Sequence, residues 1–221
     1  MRVDIGEVAG LLGYTSRELD QDTSQLIDSC VEELKLATVP KYIKRVLDIE
    51  QLQIVGTNIS LAGSEDLSQL LAESHQVVLI AATLGLPVDA ALRRYSATDL
   101  TRALVMDACA SSMIECYTED LNQDLETHYR EAGYYLTDRF SPGYGDVPIM
   151  WNQKLLDVLN ANRGIGLSVS ASGTMIPRKS VSAIIGIAKR PQARRDNLCA
   201  GCRIQDHCKL REGNRYCGRK I

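Results

Sequence analysis

Apolar positions along this chain recur with two periods, and the switches between them outline its elements. Val3, Ile5, Val8, Leu11 and Leu12 fall at helical spacing in an amphipathic lead-in over 2–19, with Gly13 placed to end the helix. Over 23–37, Leu26, Ile27, Cys30, Val31, Leu34 and Ala37 mark one face of a stronger helix, which Pro40 stops. The period then drops to two: 41–49 reads as a strand, followed by shorter strands over 51–55 and 58–61. A helix over 64–72 takes Ser64 as its N-cap. The run Val77-Val78-Leu79-Ile80-Ala81-Ala82 has no polar face, so 75–84 is expected as a central strand covered on both sides.

Pro87 opens the next helix from the favoured first-turn position. The longest helical pattern, as one helix or two, covers 98–132. Its expected core stripe is Leu100, Leu104, Ala108, Ser111, Ile114, Tyr117, Leu121, Leu125 and His128, and Gly133 ends it. Strands are expected over 134–136, 164–169 and 182–188, and a helix from Trp151 to Leu159. Helices and strands mix without strict alternation, so the fold class is α+β: a twisted, largely antiparallel sheet flanked by helices.

Between two of these regions lies Arg139-Phe140-Ser141-Pro142-Gly143-Tyr144-Gly145-Asp146-Val147-Pro148. Two prolines and two glycines in ten residues rule out a regular helix or a central strand, so this is a shaped loop. A fixed charge, an aromatic ring and glycines suit it to ligand contact by backbone and side chain together. Upstream, Glu115 and Glu119 are one helical turn apart and share a face.

Composition narrows the function classes. The 221 residues are 45% hydrophobic and 24% charged with net charge −3, which gives no general basis for binding nucleic acid or anionic membranes. No apolar run approaches the roughly twenty residues that span a bilayer. The amino terminus has no apolar core of signal-peptide length, so a cytoplasmic location is expected. No glycine-rich dinucleotide or phosphate-binding fingerprint is present, which leaves a Rossmann-type methyltransferase site and ATP use unsupported.

Seven cysteines, an odd number, argue against a closed disulfide framework, and four lie in the last 23 residues. Cys199-x2-Cys202-x5-Cys208-x8-Cys217 places four thiols within 19 residues, beyond a basic run over 189–195. The first pair has the spacing of both zinc and iron–sulfur sites. The irregular later spacings favour one [4Fe–4S] cluster, with zinc as the alternative and His207 as a substitute ligand. The chain is therefore divided into a main unit over 1–190 and a Cys-rich metal-binding tail over 191–221. Cys30, Cys109 and Cys116 lie on apolar or small-residue helical faces and are assigned to the core.

The central loop's Arg-x-x-Pro-Gly-Tyr resembles the S-adenosylmethionine-contacting segment of the activation domain of vitamin B12-dependent methionine synthase. The run from Met175 to Gly186 is similar to that family's Met-x-Pro-x-x-Ser-Val-Ser-Gly block. Ala110, Glu115, Glu119 and Leu121 match a third, weaker spacing, and the three blocks keep the family's order. The resemblance implies a site in which Arg139 takes the ligand's carboxylate, while Gly143 and the backbone at Ser141 approach it closely. Tyr144 would stack on adenine or face the sulfonium, and Glu115 would meet the ammonium or lie opposite the sulfonium. It further implies a reactivation partner or subunit of a cobalamin-dependent methionine synthase. That partner carries the cobalamin, and the activation domain supports reductive methylation of cob(II)alamin.

Three positions depart from the family pattern: an acidic residue is replaced by Ser111, an aromatic by Ile184 and Ile185, and an aspartate by Gly13. Two alternatives therefore stand beside the first reading. One is an electron-delivering activator of a corrinoid protein that uses an iron–sulfur tail without S-adenosylmethionine; the other is a non-catalytic docking subunit. Protein purified without oxygen is expected to be brown, and Cys202→Ser is expected to bleach it. Colourless protein carrying stoichiometric zinc would decide for the structural metal.

Overall fold

A computed structural model of the chain describes residues 1–14 and 19–192. Their elements are α1 (Ile5–Leu11), α2 (Gln21–Ala37), β1 (Lys41–Glu50), β2 (Gln53–Ile54), α3 (Glu65–Leu70), β3 (Ser74–Thr83), α4 (Leu86–Thr98), α5 (Leu100–Glu131), β4 (Tyr135–Leu136), α6 (Trp151–Leu159), α7 (Ala161–Ile165), β5 (Ser168–Val169), β6 (Met175–Ile176) and β7 (Ser180–Ala188). Five strands make one antiparallel sheet in the order β2-β1-β3-β7-β4, and β5 pairs with β6 alone. The expected α+β class is what the chain adopts.

The all-apolar run of β3 follows from its position. It pairs with β1 along one edge and β7 along the other, and helices cover both faces. On one face Val77, Leu79, Ala81 and Ile184 pack with α3, α6 and α7 residues such as Leu67, Leu155 and Ile165. On the other, Val78, Ile80, Ala183, Ile185 and Ile187 meet Leu125 of α5. Beyond that sheet face, α1, α2, α4 and the first half of α5 form a helical layer around Ile27, Cys30, Leu34, Met106, Cys109 and Met113. Cys30, Cys109 and Cys116 are buried free thiols, as assigned. Burial pushes the Cys109 thiol up to about 12, so it packs as a small apolar group.

α5 is a single unbroken helix of 32 residues, about 48 Å long at 1.5 Å per residue. Asp99 caps its start by accepting the Arg102 N–H at 2.9 Å. Its N-terminal half corrects the expected core stripe: Leu100 and Leu104 are 76% and 61% exposed. There the buried face runs through Ala103, Met106, Cys109, Ala110 and Met113, because α2 and α4 pack against that side. Small residues carry this contact because they let the neighbouring helices come close, a role that hydropathy alone does not rank.

Two expected strands are also corrected. Residues 58–61 give only an isolated bridge between Gln53 and Ser60 before a 3₁₀ turn at Leu61–Gly63. Residues 164–169 begin inside α7, and only Ser168–Val169 is extended. Gln51 and Leu52 close the β1–β2 hairpin with φ of +49° and +61°, a two-residue turn normally built from Asn and Gly.

Where β7 passes the end of α3, Gly186 leaves no room for a side chain. A Cβ there would sit 2.2 Å from Ser74 Oγ, 2.7 Å from Leu71 Cδ2 and 2.9 Å from Thr137 Cγ2. Gly186→Ala is expected to lower stability by about 1–3 kcal/mol, the usual range for overpacking. Urea unfolding reads this directly, and an unchanged midpoint would mean the strand edge yields freely.

Candidate functional site

The site is built on α5. Asp107, Ser111 and Glu115 follow each other at four-residue intervals and so form one stripe. Leu100 and Leu104 extend that stripe towards the helix start, where it is exposed. At Thr118, Asn122 and Leu125 it is buried. The middle is polar, and two cations reach it from other segments.

Arg139 comes from the central loop and places Nη2 2.9 Å from Glu115 Oε2. Lys179 comes from the segment before β7. Its ammonium donates to the Asp107 carbonyl at 3.1 Å and to Ser111 Oγ at 2.8 Å, and forms an ion pair with Asp107 Oδ1 at 2.8 Å. The cations lie deeper than the anions: the Arg139 and Lys179 side chains are 17% and 9% exposed, against 44% for Glu115 and 43% for Asp107. Arg139 Nη1 is buried with no hydrogen-bond partner among the described residues. A buried donor left unmet costs on the order of 1–3 kcal/mol, and an anion at this spot would meet it.

The loop is held at both ends. On one side, Phe140 is 4% exposed and exchanges both backbone hydrogen bonds with Ile184, at 2.9 and 2.8 Å, which fixes Arg139 beside β7. At the other end, Asp146 accepts the Ser64 hydroxyl and the N–H groups of Glu65 and Asp66, the latter two at 2.6 and 3.4 Å. Asp66 Oδ2 accepts the Asp146 N–H at 3.0 Å in return. A Cβ on Gly145 would fall 1.9 Å from that Asp66 oxygen and 3.3 Å from Phe140 Cζ, so only glycine fits. Between these anchors, the Gly143 N–H donates to the Val147 carbonyl at 2.9 Å, and Gly143 has φ +95°.

Of the expected site residues, the fold brings Glu115 and Arg139 into direct contact. Ser141 is partly buried and its carbonyl accepts the Tyr144 N–H at 3.4 Å. Gly143 is exposed, and Tyr144 is 63% exposed within the turn. Cys199, Cys202, Cys208 and Cys217 lie outside the described residues. Among the described residues no group of three or more metal-ligating side chains gathers, and no helix is long and apolar enough to cross a membrane.

The departures acquire physical roles. Ser111 accepts from Lys179 and donates to the Asp107 carbonyl at 2.9 Å. Ile184 and Ile185 are 1% and 0% exposed on opposite faces of the sheet, so neither is available for stacking. Gly13 follows α1 in a helix-ending motif, in which Tyr14 donates to the Ala9 carbonyl and Gly13 to that of Gly10. Sequence reasoning missed Asp107, Lys179 and the anchoring part of Asp146. Asp107 was findable, eight residues before Glu115 on the same helix face; nothing local marked Lys179.

A family model described as "Vitamin B12 dependent methionine synthase, activation domain" matches residues 67–195, more than half of the chain. The chain belongs to this family. The match takes in the activation-domain stripe of α5, the central loop and the Lys179 segment. Among solved structures, the MetH reactivation domain bound to AdoHcy is similar at 16% sequence identity and a TM-score of 0.57. That alignment covers 88% of this chain and 73% of the other. A comparison with curated proteins finds no match.

The activation-domain loop also has an acid-sensitive anchor. Partial desolvation pushes the Asp146 carboxyl up, but its hydrogen bonds from Ser64, Glu65 and Asp66 together outweigh this and hold it below its ordinary value. A depressed folded-state value stabilises the fold above the unfolded aspartate value of about 3.9. That contribution is lost as pH falls through the folded value. Asp146→Asn is expected to cost about 0.5–2 kcal/mol at neutral pH, as for a helix cap. Urea unfolding at neutral pH and near pH 3 should show the deficit shrinking in acid. An equal deficit at both would exclude the carboxylate charge as its source.

Proposed function

We propose that this chain binds S-adenosylmethionine on the α5 stripe and serves as the reactivation partner or subunit of a cobalamin-dependent methionine synthase. The Arg139–Glu115 pair, with Arg139 Nη1 still unspent, carries the reading. A guanidinium fork with one arm on a glutamate and the other unmet suits an α-amino acid group. The ligand's carboxylate takes Arg139, and its ammonium takes the glutamate at the rim. Gly143 leaves the turn backbone approachable, and the Tyr144 ring, 63% exposed, would cover adenine. The resemblance puts Arg139 and Glu115 at motif positions, the family match spans both residues, and AdoHcy, which the similar reactivation domain holds, shares this amino acid group.

S-adenosylmethionine would supply a sulfonium-bound methyl group to the partner's reduced cobalamin and leave as S-adenosylhomocysteine. This chain's part would be positioning: Arg139 and Glu115 would hold the donor by its charged end on a rigid helix. We further assign residues 1–190 to this unit and 191–221 to a metal-binding tail. There Cys199, Cys202, Cys208 and Cys217 would hold a [4Fe–4S] cluster, or zinc, and a cluster would relay the electron. A second reading, electron delivery without S-adenosylmethionine, draws on Ser111 being already engaged by Lys179 and on Gly13 standing where the family has an aspartate.

Calorimetric titration separates the two. Wild-type protein is expected to bind S-adenosylmethionine saturably, and Arg139→Ala to bind at least tenfold more weakly. A lost charge-assisted hydrogen bond is worth about 1.5–3 kcal/mol, and 1.4 kcal/mol is a factor of ten. Equal affinity would remove Arg139 from the site, and no binding by wild type would leave the electron-delivery reading.

A further inference from the structure

We infer that Lys179 is a positioning residue for the ligand-binding arginine. It fixes where Arg139 stands without touching ligand itself. The inference deepens the site proposed above and rests on that reading for its binding consequence.

Three observations lead there. First, Lys179 is a buried cation whose side chain is 9% exposed, and its ammonium is held on α5 by two hydrogen bonds, to the Asp107 carbonyl and Ser111 Oγ, and by an ion pair with Asp107 Oδ1. Its charge is already matched by a carboxylate on the same helix, so a direct contact with ligand would compete with that pair. Second, the segment bearing it is itself fixed. The Arg178 N–H donates to Asp89 Oδ2 at 2.9 Å in α4, and the Lys179 carbonyl accepts the Leu84 N–H at 3.0 Å.

Third, Lys179 and Arg139 belong to one closed mechanical circuit. From α5 at Asp107 and Ser111 it passes through Lys179 into β7 and along the strand to Ile184. There it crosses by the paired backbone bonds to Phe140, reaches Arg139, and returns to α5 at Glu115. Asp107 and Glu115 are eight residues apart, about 12 Å along the helix. The tie at Lys179 pins the start of β7 to α5, and β7 carries Arg139 through Phe140. Without that tie, the Arg139 fork keeps its charge but loses its register with Glu115. A displacement of about 1 Å in such a site is enough to cost substantial binding or rate.

The test uses the full chain with Lys179→Met and, as a milder variant in case that one fails to fold, Asp107→Asn. Two readouts are taken. In ligand-free protein, the Arg139 side-chain Nε–H resonance, assigned by its loss in Arg139→Lys, is expected to shift and broaden in both variants. In titrations, Lys179→Met is expected to weaken S-adenosylmethionine binding about five- to tenfold. The same change in an Arg139→Lys background should weaken it less than twofold, because the residue acts through Arg139. A shift in melting temperature with an unmoved Arg139 resonance and additive effects on affinity would overturn the inference and leave Lys179 a purely structural clamp. If wild type fails to bind S-adenosylmethionine while the Arg139 resonance still moves, the proposed function fails and the positioning role stands.

Discussion

The molecule depends on keeping both faces of β3 and β7 dry. Val77 to Ala82 of β3 and, apart from Gly186, Ala183 to Ala188 of β7 are apolar and buried, and the two strands pair with each other over most of their length. An antiparallel sheet normally gives one face to water; here helices must cover both. α3, α6 and α7 close one side, and α5 closes the other as the floor of a helical layer. Packing of this kind is worth on the order of 1.5–3 kcal/mol for each large side chain fully removed from water, far more than the surface ion pairs. The sheet therefore decides where α5 lies, and α5 decides where the site lies.

From that constraint comes the unusual polarity of the site. β7 enters beneath α5 and brings Lys179 with it, while Phe140 docks Arg139 against the middle of the same strand. Both cations end up below the helix surface, and their carboxylate partners stand at the rim. Lys179 spends its charge on α5, through two hydrogen bonds and an ion pair with Asp107; Arg139 keeps a buried donor with no partner among the described residues. On the proposed reading the first cation is a strut and the second a binding group, a division that follows from what each is already paired with.

Much of this was legible in the sequence. The apolar run at 77–82 announced the central strand, Ser64, Pro87 and Gly133 marked helix ends, and Trp151–Leu159 was placed to the residue. The three motif blocks led to Glu115 and Arg139, which the fold brings to 2.9 Å across 24 residues of chain. The failures have physical causes. The first turns of the α5 stripe differ, with Leu100 and Leu104 exposed, because leucines outrank alanines in hydropathy, yet Ala103, Ala110 and Cys109 allow helices to approach closely; Ala108, Ile114 and Leu125 of the expected stripe are buried. The turn at Gln51 and Leu52 uses residues that seldom adopt positive φ, so nothing local signalled it. Lys179 was invisible because its meaning is tertiary: it lies 68 and 72 residues from the groups it binds.

The division of α5 into an exposed start, a polar middle and a buried end also explains how the site can drift while the fold persists. Truncating a core residue such as Met113 or Leu155 removes about 2–5 kcal/mol, a large fraction of a domain's total stability. Changing one half-exposed carboxylate of the stripe empties no core space, and its cost is that of leaving its buried cation less well paired, about 1–3 kcal/mol. Selection for folding alone therefore holds the layers in place and leaves the stripe freer to vary with the ligand or partner. A fold match at 16% identity with a TM-score of 0.57 is the result expected of such a helix. On the proposed reading, charge recognition of the ligand rests on Arg139 and Glu115. The precision with which those two are held then matters more than it would in a site with contacts to spare.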